Sequence, residues 1–389
     1  MTAAPPSSPA ESTGASAGVS IELLADRLRR AGDVAARHDV DLLLITPGTD
    51  LRYLLGIGGE SHERLTCLVL PATGHRAPPA LVVPKLEAPG LAGVPLDELG
   101  IEVVTWADGE DPHLLVSDLA GGPTRLAVAD AMPAAHVLGL RDALPEAAQA
   151  LAGPVLRELR MRKDAAEVAE LRAAGAAIDR VHARMGEFLT PGHTEAQVGA
   201  DIAAAIVAEG HTSAAFVIVG SGPNGASPHH DVSDREIAPG DVVVIDIGGP
   251  LPSGYFSDCT RTYAVGAEPA ASVREAYAVL RAAQERSVAA VRPGATAESI
   301  DAAAREPIAD AGLGDRFIHR TGHGIGLDVH EEPYIVAGNA IALEPGMAFS
   351  VEPGVYFAGE WGARIEDIVV VTEEGGERLN NRSHDLVVL

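Results

Sequence analysis

The sequence predicts an α+β chain of two domains, the second built from two similar halves. Three observations predict it. The chain has 389 residues, more than one hydrophobic core usually holds, and its 47% hydrophobic and 22% charged content suits a globular protein. Its C-terminal part repeats itself at offsets of 101 to 108 residues. Within that repeat, four carboxylates interrupt Val/Ile-rich strands in the same order in each half.

The elements follow in chain order. The first 18 residues are rich in Ala, Ser, Pro and Thr, without a basic start or an apolar core, so they read as a disordered tail rather than a signal peptide. Ser20 can cap a helix over residues 20–38, with Leu23, Leu24, Leu28 and Val34 on one side. Residues 41–45 read as a buried strand ending at Pro47-Gly48. Further strands are expected over 65–70, 80–83, 101–106 and 126–128, with helices near 111–119 and 133–140. Residues 19–153 therefore form an α/β domain. No Gly-rich phosphate loop follows any of its strands, and nothing in it looks catalytic. Gly153-Pro154 marks the expected boundary, and the second domain is expected over residues 154–389.

Met161 to Glu167 opens a long helix, and the repeat begins there. Leu171, Ala174 and Ile178 recur as Val273, Ala276 and Leu280. Leu189-Thr190-Pro191-Gly192-His193-Thr194 recurs as Val291-Arg292-Pro293-Gly294-Ala295-Thr296, an offset of 102. Val198, Ile206 and Gly210 recur as Ile300, Ile308 and Gly312. Each half thus reads helix, Pro-Gly turn, helix, strands, acid, acid. A unit this long is not a solenoid repeat. It implies two halves about a pseudo-twofold axis.

Pro239-Gly240-Asp241 leads through a Val/Ile run to Asp246, then to Ser257-Asp258; Pro345-Gly346 leads through Phe349-Ser350-Val351 to Glu352, then to Ile365-Glu366. The offsets are 106 from Asp246 to Glu352 and 108 from Asp258 to Glu366. An ionised carboxylate on a buried strand is disfavoured by several kcal/mol unless it is paired or metal-bound. Lys85 and Lys163 are the only lysines, and neither lies near these strands in sequence. The four acids therefore read as a cation cage.

His323 sits in Gly322-His323-Gly324-Ile325-Gly326, where glycines let backbone approach a ligand. It has no counterpart in the first half and completes the set Asp246, Asp258, His323, Glu352 and Glu366. One imidazole with four carboxylates is a hard, oxygen-rich site, suited to Mn²⁺, Fe²⁺, Co²⁺ or Zn²⁺ rather than copper. Four negative charges call for two divalent ions, about 3.5–4 Å apart, which together would ionise a shared water near neutral pH. His229 and His330 match at an offset of 101 and would flank such a centre, suited to stabilising an oxyanion and holding a carbonyl. His230 reads as an ordinary packed or surface histidine.

Composition narrows the partners. A net charge of −26 argues against nucleic acid, and no apolar run reaches the length of a membrane helix. Cys67 and Cys259 are the only cysteines, far apart and without ligand spacing, which fits a reducing cytoplasm.

Several motifs together resemble the pita-bread metallopeptidases, and within them the proline-peptidase branch of aminopeptidase P and Xaa-Pro dipeptidase. They are Ser221 to His229, Asp246 in its strand, Ser257-Asp258-Cys259-Thr260-Arg261-Thr262, His319-Arg320-Thr321-Gly322-His323-Gly324-Ile325-Gly326, Val329-His330-Glu331, Val351-Glu352-Pro353-Gly354 and Arg364-Ile365-Glu366-Asp367. The resemblance implies a pita-bread (creatinase/aminopeptidase) domain preceded by a smaller creatinase-like α/β domain. It implies that Asp246, Asp258, His323, Glu352 and Glu366 hold two divalent cations, with Mn²⁺ the first candidate, and that Asp258 and Glu366 bridge them. It makes Glu352 the proton shuttle, with His229 and His330 the catalytic non-ligand histidines that also contact substrate. It places His319, Tyr356 and Arg364 around a proline pocket, and it implies a short peptide substrate with proline second and a homodimer. Two departures stand out. The Asp246 to Asp258 gap holds one residue more than the family pattern, near Pro250 to Pro252. Some Xaa-Pro dipeptidases carry an Arg just past the second histidine to bind the dipeptide carboxylate, and here no Arg lies between His330 and Arg364. The alternatives are a methionine aminopeptidase or other non-proline aminopeptidase, a metal-free creatinase-like hydrolase, and a non-catalytic binding protein on the same scaffold.

Overall fold

The computed structural model describes residues 19–389, so the tail expected over residues 1–18 lies outside the described residues. The chain divides into two compact units between Arg160 and Met161. In the first unit α1 (Ile21–Arg37) starts where Ser20 Oγ accepts the Leu23 N–H at 3.3 Å. Then come β1 (Leu42–Ile45), α2 (Thr49–Leu55), β2 (Cys67–Pro71), β3 (Ala80–Pro84), β4 (Glu102–Trp106), α3 (Pro112–Leu119), β5 (Arg125–Val128), α4 (Ala134–Ala143), β6 (Ala148–Leu151) and α5 (Gly153–Arg160). The sheet order is β4-β3-β2-β1-β5-β6, with β1 antiparallel to β2 and parallel to β5.

Two elements of this unit escape the sequence pattern. Ala148–Leu151 has the composition of a helix, yet it forms an edge strand because it pairs in parallel with β5. The other is α2, whose Leu51, Tyr53, Leu54 and Leu55 are all buried. The boundary also lies one short helix beyond Gly153-Pro154. Gly153 donates its N–H to Asp130 Oδ1 at 2.7 Å, and Val155, Leu156 and Leu159 of α5 are buried, so this segment belongs to the first core.

The second unit contains α6 (Ala165–His182), α7 (Met185–Phe188), α8 (Glu195–Ala208), β7 (Phe216–Ser221), β8 (Val242–Pro250) and β9 (Phe256–Ala264) in its first half. Its second half contains α9 (Ala271–Ala290), α10 (Ala297–Asp310), β10 (Gly322–Gly324), β11 (Glu331–Ile335), β12 (Ala348–Val351), β13 (Gly354–Phe357), β14 (Trp361–Arg364), β15 (Asp367–Thr372), β16 (Gly375–Arg378) and β17 (Val387–Val388). One sheet runs β17-β9-β8-β7, the other β11-β10-β12-β15-β16, and β13 and β14 form a hairpin.

The repeat is visible in the backbone bonds. Gly192 N–H donates to Ile237 O at 2.9 Å, Ile237 N–H to His193 O at 2.9 Å, and Glu195 N–H to Arg235 O at 3.0 Å. The second half makes the same three bonds: Gly294 to Leu343 at 2.8 Å, Leu343 to Ala295 at 2.8 Å, and Ala297 to Ile341 at 2.9 Å. Each half packs its helices on its own strands. Val198 and Ile206 meet Val243, Ile245 and Ile247 in one core, and Val288 and Ile300 meet Phe349, Val351 and Val369 in the other. The halves join along β9. Glu366 N–H donates to Thr260 O at 3.1 Å, and Arg364 N–H to Thr262 Oγ1 at 3.1 Å. Apolar helix-on-sheet packing thus fixes two strand pairs whose acids face one another.

Gly192 and Gly294 have φ of 90° and 81°, and a Cβ at either position would meet nothing within 4 Å. Backbone strain is then the whole effect of a side chain there. Gly192→Ala and Gly294→Ala are each expected to lower stability by about 1–2 kcal/mol, and by equal amounts. Urea denaturation of the two variants checks the equivalence of the halves.

Candidate metal centre

The expected site residues meet in one cavity of about 1080 Å³ in the second unit, lined by Asp246, Asp258, His323, Glu352 and Glu366 together with His229, His319, His330 and Arg364. Asp246 comes from the middle of β8 and pairs across the ladder with Thr260 on β9, two residues beyond Asp258. Both side chains therefore leave the sheet on one face. His323 is carried by β10, Glu352 follows β12, and Glu366 precedes β15. Asp258, His323 and Glu366 each offer a donor atom, all within 4.8 Å of one another. His323 Nε2 lies 3.6 Å from Asp258 Oδ2 and 3.2 Å from Glu352 Oε1.

The surroundings orient these groups. His323 Nδ1 lies 3.1 Å from the Gly324 carbonyl, which sets Nδ1 as donor and leaves Nε2 to face the acids. Ser350 Oγ accepts the His323 N–H at 3.0 Å and donates to Glu352 Oε1 at 3.0 Å. Thr260 Oγ1 donates to Glu366 Oε2 at 2.7 Å. The cation missing from the sequence argument is Arg364. It is 2% exposed, and its Nη2 donates to Asp246 Oδ2 at 2.5 Å. The cage is therefore not made of four uncompensated acids; one of them is ion-paired. Asp246 Oδ1 is buried with no hydrogen-bond partner.

The electrostatics follow from this crowding. Burial, then the charges of Asp246 and Glu352, hold the Asp258 carboxyl well above the usual carboxylate range. Burial and the charge of Asp258 do the same to Glu366. Burial raises Glu352 too, but the hydrogen bond and charge of His323 outweigh it and bring Glu352 down to about 2. Partial burial of the His330 ring, with the charges of His323 and Arg320, lowers that imidazole to about 4. The orphaned Asp246 Oδ1, the hard donor set and the mutual repulsion all fit divalent cations.

His229 and His330 both border the cavity and are exposed to it, and the His330 ring stands edge-on to His323 with centroids 4.2 Å apart. His319 Nδ1 lies 2.7 Å from the Arg320 carbonyl, so that nitrogen carries the proton and Nε2 accepts from Tyr356 Oη at 2.9 Å. Arg364 Nη1 donates to the same Tyr356 oxygen at 2.8 Å. Tyr356 is buried behind His319 and Arg364 rather than bordering the cavity, so it braces the wall instead of forming it.

Supporting residues were not legible from the motifs. Glu195, fully buried at the start of α8, accepts from Ser221 Oγ at 2.6 Å, His230 Nε2 at 2.7 Å, Ser233 Oγ at 2.5 Å and Asn224 Nδ2 at 3.1 Å. It pins the loop that carries His229. In sequence it looks only like an acid in a first helical turn. Asp301 of α10 does the equivalent work, accepting from Thr321 Oγ1 at 2.7 Å and Arg305 Nη2 at 2.8 Å, while Arg305 also donates to the His319 carbonyl at 2.9 Å. Lys163, itself buried, pairs with Glu331 beside His330. Cys67 and Cys259 are both buried and free.

Comparison with known proteins agrees with this geometry. Residues 169–373 match the model of metallopeptidase family M24, and residues 27–162 match the creatinase/prolidase N-terminal domain. The chain is 58% identical over 369 residues to the probable dipeptidase PepE of Mycobacterium tuberculosis, covering 95% of this chain and 97% of the relative. It is 34% identical over 357 residues to the Xaa-Pro dipeptidase of Lactobacillus helveticus, covering 90% and 95%. Among solved structures it resembles dipeptidase PepE from Mycobacterium ulcerans, with a TM-score of 0.90 and 57% identity over 94% of this chain and 98% of the other. It also resembles a prolidase from Thermococcus sibiricus, with a TM-score of 0.85 and 37% identity over 93% and 98%. The donor cluster, the doubled half-fold and these matches together show that the chain belongs to metallopeptidase family M24 and carries the N-terminal domain of its creatinase and prolidase members.

Proposed function

We propose that this peptidase hydrolyses the bond before proline at the N-terminus of dipeptides and short peptides. The observation that carries the reading is a single cavity in which five hard donors, two exposed histidines and a braced His319–Arg364 wall converge. Asp246, Asp258, His323, Glu352 and Glu366 would hold two divalent cations, with Mn²⁺ the first choice among Mn²⁺, Co²⁺, Fe²⁺ and Zn²⁺. Such ions lower the pKa of water and polarise a carbonyl.

The protein groups supply the rest. Glu352, held down to about 2, is ionised at neutral pH, as a general base must be before it takes a proton. The same carboxyl can then return that proton to the leaving nitrogen. His330 is neutral at physiological pH, so it can donate one hydrogen bond to a developing oxyanion without needing a counter-charge. His229 stands on the loop that Glu195 pins and faces the same cavity. Burial lowers His319 as well, which keeps its imidazole uncharged beside the proline ring.

The substrate class follows from proline itself. A bond before proline has no N–H, and its φ is locked on the C-terminal side. A protease that grips backbone as a strand needs that donor. A compact pocket that recognises the ring does not. The names of the Lactobacillus helveticus and Thermococcus sibiricus relatives support this choice. The proposal includes a cytoplasmic setting, consistent with two free thiols, and a homodimer, supported by the family resemblance.

Three outcomes are expected. Purified protein loaded with Mn²⁺ cleaves Xaa-Pro dipeptides or Xaa-Pro-Xaa tripeptides; no turnover of either class by metal-loaded protein rejects the reading. Asp258→Asn weakens Mn²⁺ binding by more than about 100-fold in calorimetric titration and abolishes turnover, while the metal-free chain melts no lower than the parent because a repelled buried charge is gone. Glu195→Gln keeps Mn²⁺ by elemental analysis but lowers kcat/KM by up to about 100-fold, since the loop bearing His229 moves and the ligands do not. Full activity in a folded Glu195→Gln protein would remove Glu195 from the machinery.

A further inference from the structure

Two imidazoles of the first unit aim at one another. His113, in the first turn of α3, and His136, near the start of α4, bring Nε2 and Nδ1 to 3.3 Å, with ring centroids 5.5 Å apart. The far nitrogen of each ring is already engaged. His113 Nδ1 lies 3.2 Å from Asp111 Oδ1, which also caps α3 by accepting the His113 N–H at 2.9 Å and the Leu114 N–H at 3.4 Å. Asp111 is exposed, hence ionised at neutral pH, and a carboxylate only accepts, so His113 Nδ1 carries a proton. His136 Nε2 lies 2.9 Å from the His62 carbonyl, which also only accepts, so that nitrogen carries a proton too.

In the neutral rings so oriented, both facing nitrogens present lone pairs. His136 is 4% exposed, and two lone pairs held 3.3 Å apart repel unless a positive charge lies between them. Spacing separates a proton from a metal ion. A shared proton draws its partners toward the about 2.9–3.0 Å of an ordinary N–H hydrogen bond. Zinc holds imidazole nitrogens at about 2.0–2.1 Å, which puts two tetrahedral ligands about 3.3–3.4 Å apart and two square-planar neighbours about 2.9 Å apart. The observed 3.3 Å is the tetrahedral spacing.

The surroundings fit an ion as well. Ligating histidines commonly donate their second N–H to a carboxylate or a backbone carbonyl, as Asp111 and His62 accept here. Gly139 stands one turn along α4 from His136, and a Cβ there would lie 2.7 Å from His113 Nε2. Glycine weakens a helix interior, and at this position its lack of a side chain leaves the flank of the nitrogen open. The His113 side chain is 20% exposed, so water can complete a coordination shell.

We propose that His113 Nε2 and His136 Nδ1 bind one tetrahedral Zn²⁺ that clamps α3 to α4, a structural site separate from the carboxylate cage of the second unit. Imidazole pairs favour borderline ions and carboxylate clusters favour hard ones, so the chain sorts Zn²⁺ to the first unit and Mn²⁺ to the second. The inference is independent of the substrate.

Zn²⁺ itself is the probe. The parent, His113→Gln and His136→Gln chains are equilibrated by dialysis against micromolar Zn²⁺ in excess Mn²⁺, and metal is counted by elemental analysis. Each variant is expected to hold one zinc per chain fewer than the parent, with its manganese content unchanged. Equal zinc in the parent and both variants overturns the site and leaves a shared proton between the rings. A second measurement needs no variant, which matters because His136 is buried and its replacement can impair folding. Crystals of the parent soaked in Zn²⁺ should give an anomalous peak about 2.0–2.1 Å from both His113 Nε2 and His136 Nδ1. Anomalous peaks confined to the carboxylate cage overturn the proposal.

Discussion

Mutual repulsion among Asp246, Asp258, Glu352 and Glu366 is the constraint around which the second unit is arranged. All four are drawn from water, and each raises the free energy of its neighbours when ionised. Such a group persists in a fold only if something else holds the strands together and something answers the charge. The first need is met by two apolar cores, one on each half, that lie behind the acid-bearing strands. The second is met in part by the Arg364–Asp246 pair and by hydroxyl donors from Thr260 and Ser350. Asp246 Oδ1 still has no partner, and Asp258 and Glu366 still favour protons. That residual charge is what makes the cavity a place for divalent cations.

Duplication explains how the acids meet, and departures from duplication explain the chemistry. The turn–helix units of the two halves share backbone bonds one for one. His323 stands in the middle of a short strand, β10, in the second half; Ser221, 102 positions earlier, ends β7 and turns instead to Glu195. One half thus contributes a ligand where the other contributes a buried clamp. The clamp holds the loop of His229, while Asp301 and Arg305 hold the segment from Phe317 to Thr321. A site that repels itself needs this external bracing, because its own members cannot fix one another's positions.

In the first unit an element is legible in the sequence where an apolar run or a capping residue marks it, as at Ser20 and over β1 to β5. It is not legible where composition and environment disagree. Ala148–Leu151 became a strand because β5 offered an open edge, a fact stored in the partner rather than in the segment. The Gly153-Pro154 pair resembles a linker in sequence, but Val155, Leu156 and Leu159 bury themselves, so the division falls after Arg160.

The sequence by itself determined that the chain repeats, that two carboxylates fall in the same order in each half, that His323 joins them without a counterpart, and that two further histidines flank them. Those facts need only spacing and the cost of burying charge. Tertiary structure alone decided that Arg364 answers the acids, that Tyr356 braces rather than borders the cavity, and that Glu195 and Asp301 act as clamps. Each of these depends on groups far apart in the chain arriving within hydrogen-bonding distance. Coulomb and hydrogen-bond energies fall away within a few ångströms, and sequence separation carries no information on that scale.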